Sequence, residues 1–286
     1  MWFSYSLIFA IWTSIAMLIS KRLLVGVKPI VFLVVSVAVA LPFMLGALFI
    51  FGIPTFTPRF FELLFISSFF DIAAALLYYK AIEISEISLL APISSFNPIF
   101  TTMFAYFLLD EKPTPVKFLG IFVVVFGAYL LNVKDVKHGL LKPFKSLFSN
   151  RGVQLFMITN VLWGLTPVFQ KNAQLQTTPH SPLAVPLIEG VMITLMLSPV
   201  LFRKETAVFT KINLKILLFF GFMTTVAQFA AMSAFVLTNV GYATAIFRLS
   251  ILFSIILGAV FFNERNIRER FIGASVMLLG TILIAI

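Results

Sequence analysis

The 286-residue chain has no cysteine, which excludes disulfides, thiolate metal sites and a cysteine nucleophile. Histidine is nearly absent. The only two, His138 and His180, fall in predicted loops, so no histidine-based metal cluster is expected inside the hydrophobic segments. Charge is scarce as well. Only 11% of residues are charged, against about 25% in soluble domains, while 60% are hydrophobic and the mean hydropathy is +1.07. Most of such a chain cannot face water. Acidic residues are the scarcer sign, 11 against 21 Lys and Arg, a formal net charge of +10. This excess does not signal nucleic-acid binding, because the basic residues lie between apolar runs, where they meet anionic lipid headgroups.

What the chain has in quantity is hydrophobic runs. Ten stretches stand out, at 2–20, 30–51, 61–81, 87–109, 115–132, 152–172, 183–202, 212–235, 239–262 and 268–286. Roughly 20 residues suffice for one bilayer span, so the predicted fold is an all-α membrane protein of ten transmembrane helices with short loops. The first run starts almost at Met1 and ends in Lys21-Arg22 without a small-residue cleavage site. It therefore reads as a retained helix and not as a signal peptide.

The last five runs echo the first five. Leu108-Leu109-Asp110-Glu111-Lys112, followed by Lys117-Phe118-Leu119-Gly120, matches Phe261-Phe262-Asn263-Glu264-Arg265, followed by Arg270-Phe271-Ile272-Gly273. The offset is 153 residues throughout, and Gly127 and Gly280 keep it. A five-span unit, being odd, re-enters the membrane the other way up when repeated. Inverted repeats of this kind build many secondary transporters, because two mirrored halves can rock around one central site. The predicted organisation is a first repeat at 1–133, a basic cytoplasmic linker at 134–151 and a second, inverted repeat at 152–286. The linker reads as an interfacial segment whose Leu and Phe lie on the membrane while its Lys residues meet headgroups.

Lys and Arg divide unevenly between the two sides. Lys21, Arg22, Lys28, Lys80, Lys134, Lys137, Lys142, Lys145, Arg151, Arg203, Lys204, Lys211, Lys215, Arg265, Arg268 and Arg270 share one side, 16 in all. Only Arg59, Lys112, Lys117 and Lys171 fall on the other. The first side is thus predicted cytoplasmic, with both termini on the opposite face.

Three ionisable residues fall well inside spans, Asp71, Glu189 and Arg248. Each costs roughly 2.5–3.5 kcal/mol at a helix centre, so each is expected to face a partner or an aqueous cavity. Arg248 lies about 13 Å deep at 1.5 Å per residue. Its planar fork suits a carboxylate or phosphate. Two readings stand: an anchor for an anionic substrate group, or a fixed ion pair with Asp71 or Glu189. Asp71 lies at comparable depth, where burial and a neighbouring arginine would act on its ionisation in opposite senses. It is a candidate for proton coupling. Glu189 is expected nearer the outer third of its span, as part of a gate or a proton path.

Milder polar residues group at matching heights. Ser94, Ser95 and Asn97 stand between Pro92 and Pro98 in the fourth run, and Arg248 and Ser250 match Ser95 and Asn97 at the 153-residue offset. Irregular helices at corresponding places in two halves point to a transport site. Trp12 and Trp163 occupy similar positions in the first and sixth runs, and Asn160, Trp163, Thr166, Pro167 and Gln170 form a polar stripe. Gln228, Tyr78 and Tyr79 could complete a lined cavity. The paired glycines 120/127 and 273/280 each mark one helix face for close packing, within the chain or across a dimer.

On these motifs the chain resembles the drug/metabolite transporter superfamily, of the EamA-like ten-span type. The resemblance rests on the two repeats, the Glu-Lys and Glu-Arg pairs at 111–112 and 264–265, each with a glycine nine residues after the Glu, and the Trp-then-Lys pattern of Trp12/Lys21 and Trp163/Lys171. It implies a basket of helices around a central cavity, the fifth and tenth helices outside it, and alternating access. Members of the superfamily move amino acids, other metabolites, nucleotide sugars or sugar phosphates. Several cavity cations suit a sugar phosphate. A single deep arginine favours a carboxylate or zwitterion instead. The expected function is transport of a small organic solute, without a cofactor, in a prokaryotic inner membrane, by a monomer or homodimer. A membrane-embedded enzyme would need a catalytic carboxylate pair, a Ser/His site or a metal cluster, and an assembly factor would gain nothing from an inverted repeat.

Overall fold

The computed structural model describes residues 1–23, 29–84, 93, 95–132, 150–201, 214–253, 257 and 267–286. Within them the hydrophobic runs become helices α1 (Trp2–Leu23), α2 (Pro29–Phe51), α3 (Pro58–Ile84), α4 (Asn97–Leu109), α5 (Pro115–Asn132), α6 (Arg151–Leu175), α7 (Ala184–Met196), α8 (Leu214–Leu237), α9 (Val240–Phe247) and α10 (Ile267–Ala285). Local chemistry sets their ends. Asn150 caps α6, its Oδ1 accepting from the Gly152 and Val153 N–H groups at 2.9 and 3.1 Å. At the other extreme α7 stops at Leu197, ahead of Ser198-Pro199, and a single turn, Ser198–Leu201, follows. Proline disfavours helical backbone in the residue before it and supplies no N–H.

By length and composition four of these helices can cross a membrane, within Ile30–Phe51, Pro58–Tyr78, Arg151–Leu175 and Leu214–Leu237, and six further apolar helices are shorter among the described residues. The surface is apolar: Phe49, Phe107, Phe126, Ile272 and Leu279 all point outward. Ser67, Ser68, Asn97, Thr101, Asn160 and Gln174 are buried instead. Lipid as the outer solvent explains this arrangement, since water would reverse it.

Packing partners are exchanged between the halves. Helix α3 lies against α6, and α8 against α1; α2 against α8, and α7 against α3; α4 against α6, and α9 against α1. Helices α5 and α10 pair with each other. Their glycines allow it. A Cβ on Gly120 would meet the Gly280 carbonyl at 3.0 Å, and one on Gly127 the Met277 nitrogen at 2.5 Å and the Gly273 carbonyl at 2.8 Å. Gly120 beside Gly280 and Gly127 beside Gly273 make the two helices antiparallel. The glycine faces that sequence left open between internal packing and a dimer are filled inside this chain.

At one end of the bundle β1 (Thr55–Phe56) pairs antiparallel with β2 (Thr177–Thr178), tying the α2–α3 loop to the α6–α7 loop. Below this ladder lies the largest buried cluster, including Met44, Phe60, Leu64, Leu183, Phe235 and Phe247. Further apolar clusters among the described residues gather around Trp12 and Phe220, around Val31, and around Ala81 and Phe156.

Candidate functional site

The polar stripe on α6 and the lone carboxylates on α3 and α7 meet in the middle of the bundle. A cavity of about 390 Å³ lies there, walled by residues of α1, α2, α3, α6, α7 and α8. No lining residue comes from α5 or α10. Its aromatic walls are Phe9, Trp12, Trp163 and Phe220, and its polar residues include Thr13, Ser36, Asp71, Gln170, Glu189, Thr224 and Gln228. The two tryptophans matched by sequence position therefore face one space.

Asp71 and Glu189 stand side by side. Asp71 lies within hydrogen-bonding reach of Thr166, Trp163 and Glu189. Glu189, only 5% exposed, accepts from Gln170 Nε2 at 2.8 Å through its Oε2. Its Oε1 is buried and meets no donor at hydrogen-bonding geometry among the described residues, although the Ser67 hydroxyl is nearby. Glu189, expected nearer the membrane surface, thus sits at the depth of Asp71. Glu189 lies within the second turn of α7, which starts at Ala184 as the hydrophobic run predicts, and its neighbours there come from α3 and α6.

Arg248 is placed elsewhere. It is not among the cavity-lining residues, and its Nη2 donates to Asn97 Oδ1 at 2.7 Å. Asn97 Nδ2 donates in turn to the Asn160 carbonyl at 3.1 Å, and Asn160 Nδ2 to the Phe156 carbonyl at 3.0 Å. The described partner of Arg248 is thus an amide, and the ion pair with Asp71 or Glu189 offered by sequence is not formed. This chain links α9, α4 and α6 at the two helix interruptions. Helix α4 resumes after a turn at Ser95-Phe96, and the backbone of α9 turns at Arg248. Those turns fall at equivalent points of the 153-residue repeat. Pro98 sits in the first turn of the resumed α4, where its missing N–H costs nothing.

The remaining candidates are divided between the cavity wall and the packing behind it. Tyr78 packs on Trp163 with ring centroids 5.2 Å apart, behind the cavity wall. Ser95 is fully buried. Gln228 lines the cavity. Tyr79 has no described side-chain placement, and Ser94 and Pro92 lie outside the described residues, as do His138 and the linker at 134–149. His180 is in the loop after β2, its Nδ1 2.9 Å from the Thr177 carbonyl.

Sequence reasoning missed a polar lock at the β1–β2 end. Asp110 ends α4 in the left-handed conformation, φ 54°, and Glu111 turns back so that its N–H donates to the Ala105 carbonyl at 3.2 Å. The Glu111 carboxylate is ion-paired with Lys171 and accepts from the Val240 N–H at the start of α9 at 2.7 Å. An acid at a helix N-terminus is favoured by the unpaired N–H groups and the helix dipole. Lys171 Nζ also donates to the Thr238 carbonyl at 2.8 Å. The signal was present in the Glu-Lys motif and the Trp-then-Lys spacing, but nothing in one sequence shows that they meet. Next to this lock, the fully exposed Lys112 has its ammonium held above the usual lysine range by Asp110, 3.0 Å away. The matching Glu264 lies outside the described residues.

No curated protein matches this chain. Solved structures do, among them one described only as "Crystal structure of protein", with a TM-score of 0.71 at 14% identity over 99% of this chain and 98% of its own. At that identity the likeness establishes a shared fold. The EamA-like transporter family model matches residues 1–133 and again 150–286, and the chain belongs to that family.

Proposed function

We propose that this membrane protein is a secondary transporter of a small organic metabolite, working by alternating access between two inverted five-helix repeats. The observation that carries the reading is the mid-bundle cavity, walled by helices of both halves of the chain. A broad apolar plug and the Glu111–Lys171 lock seal the β1–β2 end above it. Exchanged packing partners and the antiparallel α5–α10 pair support an inverted relation between the halves, because each contact in one half has a counterpart waiting in the other. The excess of Lys and Arg opposite the lock supports a non-cytoplasmic position for the sealed end under the positive-inside rule.

Asp71 and Glu189 are the groups suited to proton coupling. Arg248, holding Asn97 outside the lining, is better suited to bracing the α4–α9 crossing than to anchoring a substrate carboxylate. Amino acids and related zwitterions remain compatible with the cavity. Phosphorylated or nucleotide-linked sugars would bring multiple negative charges against two carboxyl groups. Uptake into proteoliposomes, with and without an imposed pH gradient, tests the reading over amines, amino acids and organic anions. Saturable, gradient-sensitive uptake of at least one class is expected, and Arg248→Lys should lower rates without changing which charge class is preferred. A protein that moves none of these classes would refute transport of such solutes.

A further inference from the structure

The cavity is built for a cation. Among the described residues, its charged lining is Asp71 and Glu189, with no Lys or Arg. The groups facing the pair from neighbouring helices are neutral: Ser67 on α3 and Trp163, Thr166 and Gln170 on α6. Among the described residues, helices α1, α2 and α8 contribute no titratable residue to the lining. Lys171, next to Gln170 in sequence, is engaged by Glu111 and Thr238. Glu189 Oε1 and Thr224 Oγ1 are buried at this wall and meet no partner at hydrogen-bonding geometry among the described residues, with the Ser67 hydroxyl near the former. An unpaired buried acceptor is costly, and a ligand carrying N–H donors and positive charge would satisfy both. The aromatic residues Phe9, Trp12, Trp163 and Phe220 supply the rest of such a site, since a cation over an aromatic face is attracted by the ring quadrupole.

We infer that the Asp71–Glu189 pair recognises the ammonium group of an amine-bearing, partly aromatic or apolar solute, which the Trp12, Trp163, Phe9 and Phe220 walls enclose. The inference rests on the transport reading above and names its substrate class. Two carboxyl groups this close share a proton when no cation is present. An entering R–NH3+ replaces that proton, one H+ leaves, and the charge of the occupied site is unchanged. This exchange couples amine movement to a proton gradient without any further residue.

The test uses three probes of similar size, phenethylamine, phenylalanine and 3-phenylpropionate, titrated calorimetrically into the purified full-length protein and then followed in proteoliposome counterflow. Phenethylamine is expected to bind at least tenfold more tightly than 3-phenylpropionate, with phenylalanine between them. Repeating the titration in buffers of different ionisation enthalpy should show about one proton released per amine bound. This readout needs no variant. Asp71→Asn and Glu189→Gln should each weaken amine binding at least tenfold and abolish proton release, whereas Glu189→Asp should restore part of both. Equal or tighter binding of 3-phenylpropionate, absence of amine binding, or amine binding that releases no proton overturns the inference. If anions or zwitterions are carried while phenethylamine is not, the amine assignment alone fails. If counterflow is absent for all three probes although phenethylamine binds, the transport reading fails and the cation site stands.

Discussion

Glu111→Gln should open the sealed end of the bundle, and the size of the effect follows from the contacts it removes. Glu111 holds Lys171 through one oxygen and the Val240 N–H through the other, at 2.7 Å. The two side chains are only 10% and 11% exposed. Removing one partner of a buried pair costs about 3–5 kcal/mol, because a charge is left without compensation. Glutamine keeps the shape and one acceptor oxygen, and Lys171 retains the Thr238 carbonyl, so a loss of about 2 kcal/mol is expected here. At 1.4 kcal/mol per decade, the ratio of closed to open protein falls about 25- to 30-fold. The absence of native cysteine makes the assay clean. Leu64 is fully buried within the apolar plug, so in Leu64→Cys the only thiol becomes reactive when that end opens. Labelling by a membrane-impermeant maleimide should accelerate about 25- to 30-fold on adding Glu111→Gln. Lys112→Gln, which breaks only the exposed pair with Asp110, should change it by less than about threefold, because solvent screens an exposed pair and leaves it little effect. A rate rise below threefold in a folded Glu111→Gln protein would refute the lock.

Two further substitutions probe the scaffold. Gly127→Ala should destabilise the α5–α10 seam by about 1–3 kcal/mol, since its Cβ would press on backbone atoms at 2.5 and 2.8 Å, whereas Gly46→Ala, with nothing within 4 Å, should be neutral or stabilise α2 by up to about 1 kcal/mol; denaturant unfolding in detergent separates the two, and equal effects would contradict the packing. Gln174 is 0% exposed and neither of its amide atoms has a hydrogen-bond partner among the described residues, so Gln174→Leu should be neutral or raise the melting temperature, and a clear fall would reveal a partner for that amide.

Hydropathy by itself determined most of the architecture. Residues that cannot face water must form helices in lipid, because unpaired backbone groups are too costly there, and the 153-residue echo follows from reading one sequence against itself. The glycine spacing likewise predicted a close helix face. Tertiary structure decided what those faces touch: Gly120 and Gly127 meet Gly280 and Gly273 of the same chain. It decided the site as well. Depth along a helix is a one-dimensional coordinate, and it set Arg248 beside Asp71 and set Glu189 apart. Direction around the helix is the coordinate that sequence leaves open when apolar residues occupy every face of a lipid-embedded helix. The fold turns Arg248 toward Asn97 and brings Glu189, 118 residues further along the chain, to Asp71. Which carboxylate meets which cation is therefore a property of helix rotation and packing, and that is where the charge of the cavity was settled.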